Sequence, residues 1–162
     1  MTQARVLAFT ALLAFGSAAL GPAGAQAVPR GETKPRVGTV APSRNVDHSG
    51  RKQVGQASFY ARQFAGRKMA DGTRMDPMDD NAASKSLPLG TVAKVTNLET
   101  GQSAVVTIQD RGPYVPGRIV DLSPATAGQI GLTPRDGIAP VEVAPISVPM
   151  PDGSVKRGAG AK

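Results

Sequence analysis

Two aspartates and the turn between them form the stretch whose residue types and spacing are best suited to chemistry. The segment TIQDRGPYVPGRIVDLSPA, residues 107–125, carries Asp110 at the end of one apolar run and Asp121 near the end of the next. Arg-Gly-Pro follows Asp110 and forces a turn. A carboxyl group in such a position can transfer protons in an enzyme, or it can hold a turn together.

Asp110 ends a segment that alternates between apolar and polar residues, which predicts a β-strand over residues 103–110. The even positions Ala104, Val106 and Ile108 are apolar, so alternation predicts that Asp110 also faces the core. A carboxyl group there needs hydrogen bonds or a proton. Two interpretations remain open: Asp110 accepts amide hydrogens from the following turn, or its apolar neighbours keep it protonated, as a glycoside-cleaving enzyme requires of its acid.

Asp121 lies just ahead of a predicted helix that begins at Pro124, with Ser123 as its N-cap and Gly131 as its stop. A carboxylate near a helix N-terminus interacts favourably with the helix dipole. We therefore interpret Asp121 as a structural residue. Arg118 is either its partner or a solvated side chain.

Short strands must position these residues. Alternation and turn signals predict strands at 56–60, 91–97, 103–110, 117–123 and 138–147, and residues 98–101 connect the second strand to the third as a hairpin. Several short strands with one short helix predict an all-β fold, a small closed barrel over residues 53–147. Closure also removes the exposed edges that short strands otherwise leave.

The net charge of +7 lies outside this predicted barrel. Residues 53–147 carry nine basic and nine acidic side chains, whereas residues 28–52 and 148–162 carry a basic excess. Both flanks are rich in Pro, Gly and charge, which predicts a disordered basic linker over 28–52 and a disordered basic tail over 148–162. Such flanks favour an anionic partner in the cell envelope over a nucleic acid, or serve solubility alone.

Residues 1–27 have the pattern of a signal peptide. Residues 6–20 are largely apolar, and Ala25-Gln26-Ala27 has the small-x-small form of a cleavage site. The pattern predicts an exported protein, periplasmic or secreted and soluble after cleavage near Ala27, with an uncleaved anchor as the alternative. The sequence has no cysteine for a disulfide or a lipid, and its one histidine, His48, lies in the predicted linker. We expect no stable membrane anchor, metal site or cofactor.

Residues 55–132 resemble the rare lipoprotein A family. Three strings carry the resemblance in order: GQASFYARQFAGRKMADGT, NAASKSLPLGTVAKVTNLETGQSAVV and DRGPYVPGRIVDLSPATAGQIG. The resemblance implies a double-psi β-barrel and a lytic transglycosylase that acts within peptidoglycan glycan strands lacking stem peptides and leaves anhydro-sugar ends. The glycan strand is the implied partner, and no cofactor is implied. One carboxyl group can serve as acid and then base, and a second polar group can stabilise oxocarbenium-like charge.

The resemblance assigns the catalytic role to Asp110, because the other polar site positions of the family differ here. Thr73 stands where the family pattern has a Glu, and Ser84 where it has a His. The side chains expected to bind the substrate are Tyr60, Thr73, Ser84, Arg111 and Tyr114.

Two other functions stay open. The Thr73 and Ser84 differences favour a catalytically impaired, expansin-like barrel that binds glycan without cleaving it. A secreted barrel that engages another anionic polymer through its basic flanks is the third possibility. The oligomeric state is not predicted.

Overall fold

The structure, a computed structural model, describes residues 46–161. The predicted signal peptide and residues 28–45 of the predicted linker lie outside this range. Among the described residues, no helix is both long enough and apolar enough to cross a membrane.

The described region consists mainly of short strands. They are β1 (Gln53–Phe59), β2 (Asn81–Ala83), β3 (Val92–Asn97), β4 (Ser103–Asp110), β5 (Arg118–Leu122), β6 (Ala139–Pro149) and β7 (Val155–Arg157), with a 3-10 turn at Arg62–Phe64 and the helix α1 at Pro124–Gln129. All five predicted strands and the helix are present within a few residues of their predicted bounds. The three-residue strands β2 and β7 were not predicted, because so short a segment shows no recognisable alternation.

Six strands close into a barrel. Their order is β1-β5-β2-β4-β3-β6, and an antiparallel pairing of β6 with β1 completes the circle. The β1–β5 and β2–β4 pairs are parallel, and the other pairs of the barrel are antiparallel. The predicted fold class, an all-β closed barrel of the double-psi type with one short helix, is confirmed.

The barrel interior is filled by the alternating apolar side chains of the strands. Along β4 the even residues Ala104, Val106 and Ile108 are buried, while Ser103 and Val105 are exposed, as alternation predicts. The interior also receives Ile130 and Leu132, which follow α1. The helix thus packs against the barrel near β1 and β4, although its six residues would be unstable alone.

The helix begins where the sequence predicts. Ser123 is fully buried and is the N-cap: its Oγ accepts a hydrogen bond from the Thr126 amide at 3.1 Å and donates one to Thr126 Oγ1 at 2.9 Å. Pro124 occupies the first turn, and Gly131 follows the helix with φ of 72°. Side-chain and backbone conformations therefore define both ends of α1.

The prediction of a disordered tail is wrong for residues 148–161. Strand β6 continues to Pro149, and β7 pairs with it in antiparallel register. Beyond β7, the amides of Gly158 and Gly160 donate to the carbonyls of Ile146 and Pro145. A Cβ atom on Gly158 would lie 2.2 Å from the Pro145 carbonyl oxygen, so the close approach requires glycine. Composition alone suggested disorder because the segment has few apolar side chains, whereas backbone pairing holds it in place.

The end of the predicted linker is ordered as well. His48 forms a hydrogen bond through Nδ1 with the Pro149 carbonyl at 3.0 Å, and Lys156 Nζ donates to the Ser49 carbonyl at 3.0 Å. The Ala159 amide donates to the carbonyl of Gly50. For residues 46–52 the prediction of disorder is therefore wrong, because the tail supplies their hydrogen-bond partners.

Replacing Ser123 by Ala removes the helix cap and leaves buried polar groups without partners. We expect the free energy of unfolding to fall by about 1–2 kcal/mol, measured by urea denaturation. Ser103→Ala is the matched control, because Ser103 is exposed and its side chain forms no hydrogen bond among the described residues. It should change the stability by less than about 0.5 kcal/mol. Equal losses in the two variants would contradict the capping role.

The ordered tail is testable by hydrogen exchange. The amides of Gly158 and Gly160, which are bonded to β6, should exchange at least about tenfold more slowly than the unbonded amide of Asp152 in the exposed β6–β7 turn. Amide-resolved exchange under native conditions measures the difference. Equal, unprotected rates at the three positions would show that the tail does not pair with β6.

Candidate functional site

A bulge in β4 turns Asp110 away from the barrel core. Ala82 of β2 lies opposite Ile108, but the next residue, Ala83, lies opposite Asp110, so Gln109 is an extra residue in β4. Neighbouring residues of β2 face opposite sides, and Ala82 belongs to the barrel core. Asp110 therefore shares the outer face with Ala83. The prediction that it faces the core is wrong, because strict alternation does not anticipate a bulge.

A second bulge, in β5, brings Arg118 to the same face of the strand as Asp121. Arg118 and Val120 pair with consecutive residues of β1, which leaves Ile119 as the extra residue. Residues three apart on a regular strand face opposite sides, but here Arg118 and Asp121 share one face and form an ion pair. Gly55 makes room for the bulge, since a Cβ atom there would lie 2.7 Å from Ile119 Cγ2. Arg118 is thus a partner of Asp121, one of the two possibilities left open by the sequence.

The bulges align four side chains in one row across the outer face. Ala83 is the register partner of Asp110 on one side and of Asp121 on the other, and Asp121 is in turn the partner of Ser58. The row therefore runs Asp110, Ala83, Asp121, Ser58 across β4, β2, β5 and β1. Two carboxylates flank a residue with a very small side chain.

This row lies in an open groove of about 380 Å³. The segment after β1 and the turn after β4 form the rest of its wall. Its lining residues are Ser58, Phe59, Tyr60, Ala61, Phe64, Ala83, Asp110, Arg111, Gly112, Pro113, Tyr114, Val115, Arg118 and Asp121. The groove brings together four of the predicted site residues: Tyr60, Asp110, Arg111 and Tyr114.

Asp110 is held by three donors. Its Oδ1 atom accepts hydrogen bonds from the backbone amides of Ala70 at 3.0 Å and Arg111 at 2.8 Å, and its Oδ2 atom accepts one from the Tyr60 hydroxyl at 3.1 Å. The predicted hydrogen bond from a backbone amide of the following turn is present, and its donor is Arg111. A tyrosine hydroxyl can donate or accept, so the Oδ2 atom can keep this bond with or without a proton of its own.

Tyr60 packs into a small apolar cluster outside the barrel core, together with Met69, Met75 and Ala83. Burial raises the pKa of the Tyr60 hydroxyl above its ordinary range, and the negative charges of Asp110 and Asp121 add to the effect. Tyr60 is therefore neutral at physiological pH and acts as a fixed hydrogen-bonding group beside Asp110.

The Arg111 side chain holds the wall of the groove together. Its Nη1 atom donates to the backbone carbonyls of Ser84 at 2.9 Å and Leu87 at 2.6 Å. The Ser84 amide donates to the carbonyl of Asp110 at 3.1 Å. Arg111 thus ties the loop after β2 to the end of β4 and fixes the backbone that carries Asp110.

Aromatic side chains border the carboxylates. Tyr114 is 75% exposed at the groove, whereas Phe64 is partly covered by the Tyr60 ring at a centroid distance of 5.8 Å. The Arg67 guanidinium lies 5.4 Å from the centre of the Phe64 ring. Flat apolar surfaces beside a few hydrogen-bonding groups suit a sugar ring, which has apolar faces and a polar rim.

Two predicted substrate-binding residues do not line the groove. Thr73 is exposed, and its hydroxyl and amide both donate to Asp71 Oδ1, in a turn that the Asp side chain stabilises. Ser84 is fully buried; its Oγ accepts from the Leu87 amide and donates to the Ile119 carbonyl. Both hydroxyls are occupied by local structure, so the geometry does not support the predicted glycan contacts.

Sequence reasoning missed several groove residues. Phe64, Ser58 and Ala83 carry no recognisable signal, and Asp121 was interpreted as a structural residue near the helix. The spacing of Arg118 and Asp121 contained a hint of the bulge in β5. Residues three apart on a regular strand face opposite sides, so an ion pair between these two indicates an extra residue in the strand. Residues 46–161 contain no group of three or more His, Asp or Glu side chains placed to bind a metal ion.

Comparison with known proteins gives the geometry a context. Residues 52–143 match the family described as lytic transglycolase. Three relatives carry the name endolytic peptidoglycan transglycosylase RlpA, the first two with the qualifier "probable". The relative from Nostoc sp. is 48% identical over 55% of this chain, that from Aquifex aeolicus 47% over 54%, and that from Neisseria meningitidis serogroup B 34% over 88%.

This chain spans only part of those relatives: 24%, 38% and 62% of their respective lengths. Among solved structures, the Streptomyces papain inhibitor gives a TM-score of 0.47 at 22% identity, covering 60% of this chain and 96% of its own. The family match, by contrast, covers more than half of the chain and contains every residue of the groove. The chain therefore belongs to the rare lipoprotein A family of lytic transglycolases.

Proposed function

We propose that this protein is an endolytic lytic transglycosylase that cleaves peptidoglycan glycan strands lacking stem peptides. The observation that carries the proposal is the Asp110 carboxyl group, oriented by three hydrogen bonds in an open groove bordered by aromatic rings. Relatives named as peptidoglycan transglycosylases support it. The signal-like pattern of residues 1–27 favours action in the periplasm or outside the cell.

Asp110 is the proton-transfer residue in this proposal. Its protonated carboxyl group gives a proton to the glycosidic oxygen as the bond from that oxygen to the anomeric carbon breaks. The primary hydroxyl of the same sugar then bonds to the anomeric carbon and gives its proton to a carboxylate of the groove. No water is consumed, and the product carries an anhydro ring at the new chain end. Backbone amides hold Asp110 in place, so little reorganisation accompanies the reaction.

The remaining groove residues bind and orient the strand. Tyr114, exposed at the groove, offers a ring on which a sugar can stack. Tyr60 keeps Asp110 oriented, and Arg111 secures the backbone behind it. Asp110 is therefore the residue on which chemistry depends, whereas Tyr114 governs affinity.

A second candidate function is glycan binding without cleavage. It is favoured by the environment of Thr73 and Ser84, which hold the two family positions where acid–base side chains are expected. The Thr73 hydroxyl is bonded to Asp71, and Ser84 is fully buried. A barrel of this kind would bridge or loosen strands through the same groove.

Replacing Asp110 by Asn keeps the shape of the side chain but removes its proton transfer. With purified denuded glycan strands, we expect the rate of anhydro-sugar ends detected by mass spectrometry to fall by about a hundredfold or more. Asp79→Asn is the matched control, because Asp79 is exposed and outside the groove, and its rate should equal that of the unaltered protein.

The same experiment separates the two candidate functions. The protein used lacks residues 1–27 and is otherwise unaltered. If it forms no anhydro ends, yet sediments with the strands as Asp110→Asn does, the result would support the binding function. An Asp110→Asn variant as fast as the control would contradict the role of Asp110 in the enzymatic proposal.

The environment of Tyr60 predicts that its hydroxyl ionises at a higher pH in the folded protein than in the unfolded chain. The chain has two tyrosines, so a Tyr114→Phe variant reports on Tyr60 alone. In the folded variant, phenolate absorbance should appear well above the ordinary value of about pH 10, whereas in urea it should return to that value, because unfolding removes the burial and the nearby charges.

A difference in the Tyr60 pKa between the folded and unfolded states makes the free energy of unfolding depend on pH. Because the pKa of Tyr60 is higher in the folded state, its contribution to stability is complete below about pH 10 and is lost as the pH rises through the folded pKa. Identical titration curves for the folded and the urea-unfolded variant would contradict this environment.

A further inference from the structure

We propose that Asp121 is a second catalytic carboxylate, which acts on the same sugar from the opposite side of the groove floor. This inference rests on the proposed transglycosylase function. Asp121 and Asp110 are both register partners of Ala83, so their side chains face the same side of the sheet. Their Cα atoms are separated by two inter-strand spacings, about 10 Å. Ala83 between them is itself buried against Tyr60, and both carboxylates line the groove beside that ring.

The position of Asp121 is not explained by the helix that follows it. Ser123 caps α1 through its own hydroxyl, and the helix has only six residues. No bond from an amide of α1 to the Asp121 carboxylate is formed within residues 46–161; its partner is the Arg118 side chain. The bulge at Ile119 turns both of these side chains toward the groove.

The two carboxylates have different neighbours. Arg118 forms an ion pair with Oδ1 of Asp121, which matches an ionised carboxylate. The Oδ2 atom of Asp121 has no hydrogen-bond partner among the described residues and is not among their buried unpartnered atoms, so it remains accessible from the groove. The side chain of Asp110 forms no ion pair with a cation of residues 46–161, and the Arg111 guanidinium is bonded to backbone carbonyls instead. Tyr60, between the two, is neutral.

These roles complete the proton balance of the reaction. Asp110 starts protonated and gives its proton to the glycosidic oxygen as that oxygen leaves the anomeric carbon. Asp121 starts ionised, faces the positive charge that develops at the anomeric carbon, and accepts the proton of the primary hydroxyl as the new ring bond forms. Exchange with solvent then returns each carboxyl group to its starting state, and no other reactant is needed.

The test compares Asp121→Asn, Asp121→Glu and unaltered protein on denuded glycan strands, with anhydro ends and strand binding measured in parallel. We expect Asp121→Asn to lower kcat/KM by about a hundredfold or more while strands still sediment with the protein. Asp121→Glu, which keeps the carboxylate, should recover part of that loss. Arg118→Gln breaks the same ion pair but keeps the carboxylate, so its loss should be much smaller than that of Asp121→Asn. Equal losses in Asp121→Asn and Arg118→Gln would mean that Asp121 only anchors Arg118, and would overturn the proposal.

The dependence of kcat/KM on pH gives a second readout, and its form in unaltered protein does not depend on whether a variant folds. One carboxyl group that must start protonated gives a rate that only falls as the pH rises, whereas a protonated and an ionised group together give a bell-shaped profile. We expect a bell for unaltered protein and loss of its acidic limb in Asp121→Asn. A single alkaline limb in unaltered protein would overturn the role of Asp121. Absence of anhydro ends from unaltered protein at every pH would instead refute the proposed function itself.

Discussion

The antiparallel pairing of β1 with β6 closes the sheet, and the site depends on that closure. A closed barrel separates an interior face from an exterior face, so every residue of each strand is assigned to one or the other. Apolar side chains form the core of the interior. The two carboxylates lie on strands whose backbone departs from regular alternation, at Gln109 and at Ile119. Both departures occur in parallel pairs that flank the groove.

The two bulges have complementary consequences. The bulge at Gln109 moves Asp110 out of an apolar interior and into reach of the Ala70 amide and the Tyr60 hydroxyl. The bulge at Ile119 brings Arg118 beside Asp121 and thereby compensates the charge of one carboxylate. One acidic side chain is thus held by neutral donors and the other by a cation. Two residues of the same type thus acquire different electrostatic surroundings in the same groove.

The two differences between this chain and the pattern of its family lie on either side of β2, with Thr73 in the loop before it and Ser84 directly after it. Thr73 is engaged by Asp71, and Ser84 is enclosed beneath the loop after β2, where backbone groups bond its hydroxyl. The loop between β1 and β2 still supplies the Ala70 amide to Asp110 and the Met69 and Met75 side chains that bury Tyr60. Its role here is to position Asp110, so the remaining chemistry falls to side chains on the strands themselves.

The sequence by itself determined the barrel, the helix and its cap, since these follow from local periodicity and from short-range hydrogen bonding at Ser123 and Pro124. It also singled out Asp110, through the strand end and turn that carry it. The tertiary structure decided which face Asp110 occupies, because a bulge depends on how β4 pairs with a strand too short to recognise. It likewise decided that Asp121 belongs to the groove, that Ser84 does not, and that the tail is ordered. Each of these outcomes depends on partners outside the local sequence: Ala83 for the carboxylates, Ile119 for Ser84, and the backbone of β6 for the tail.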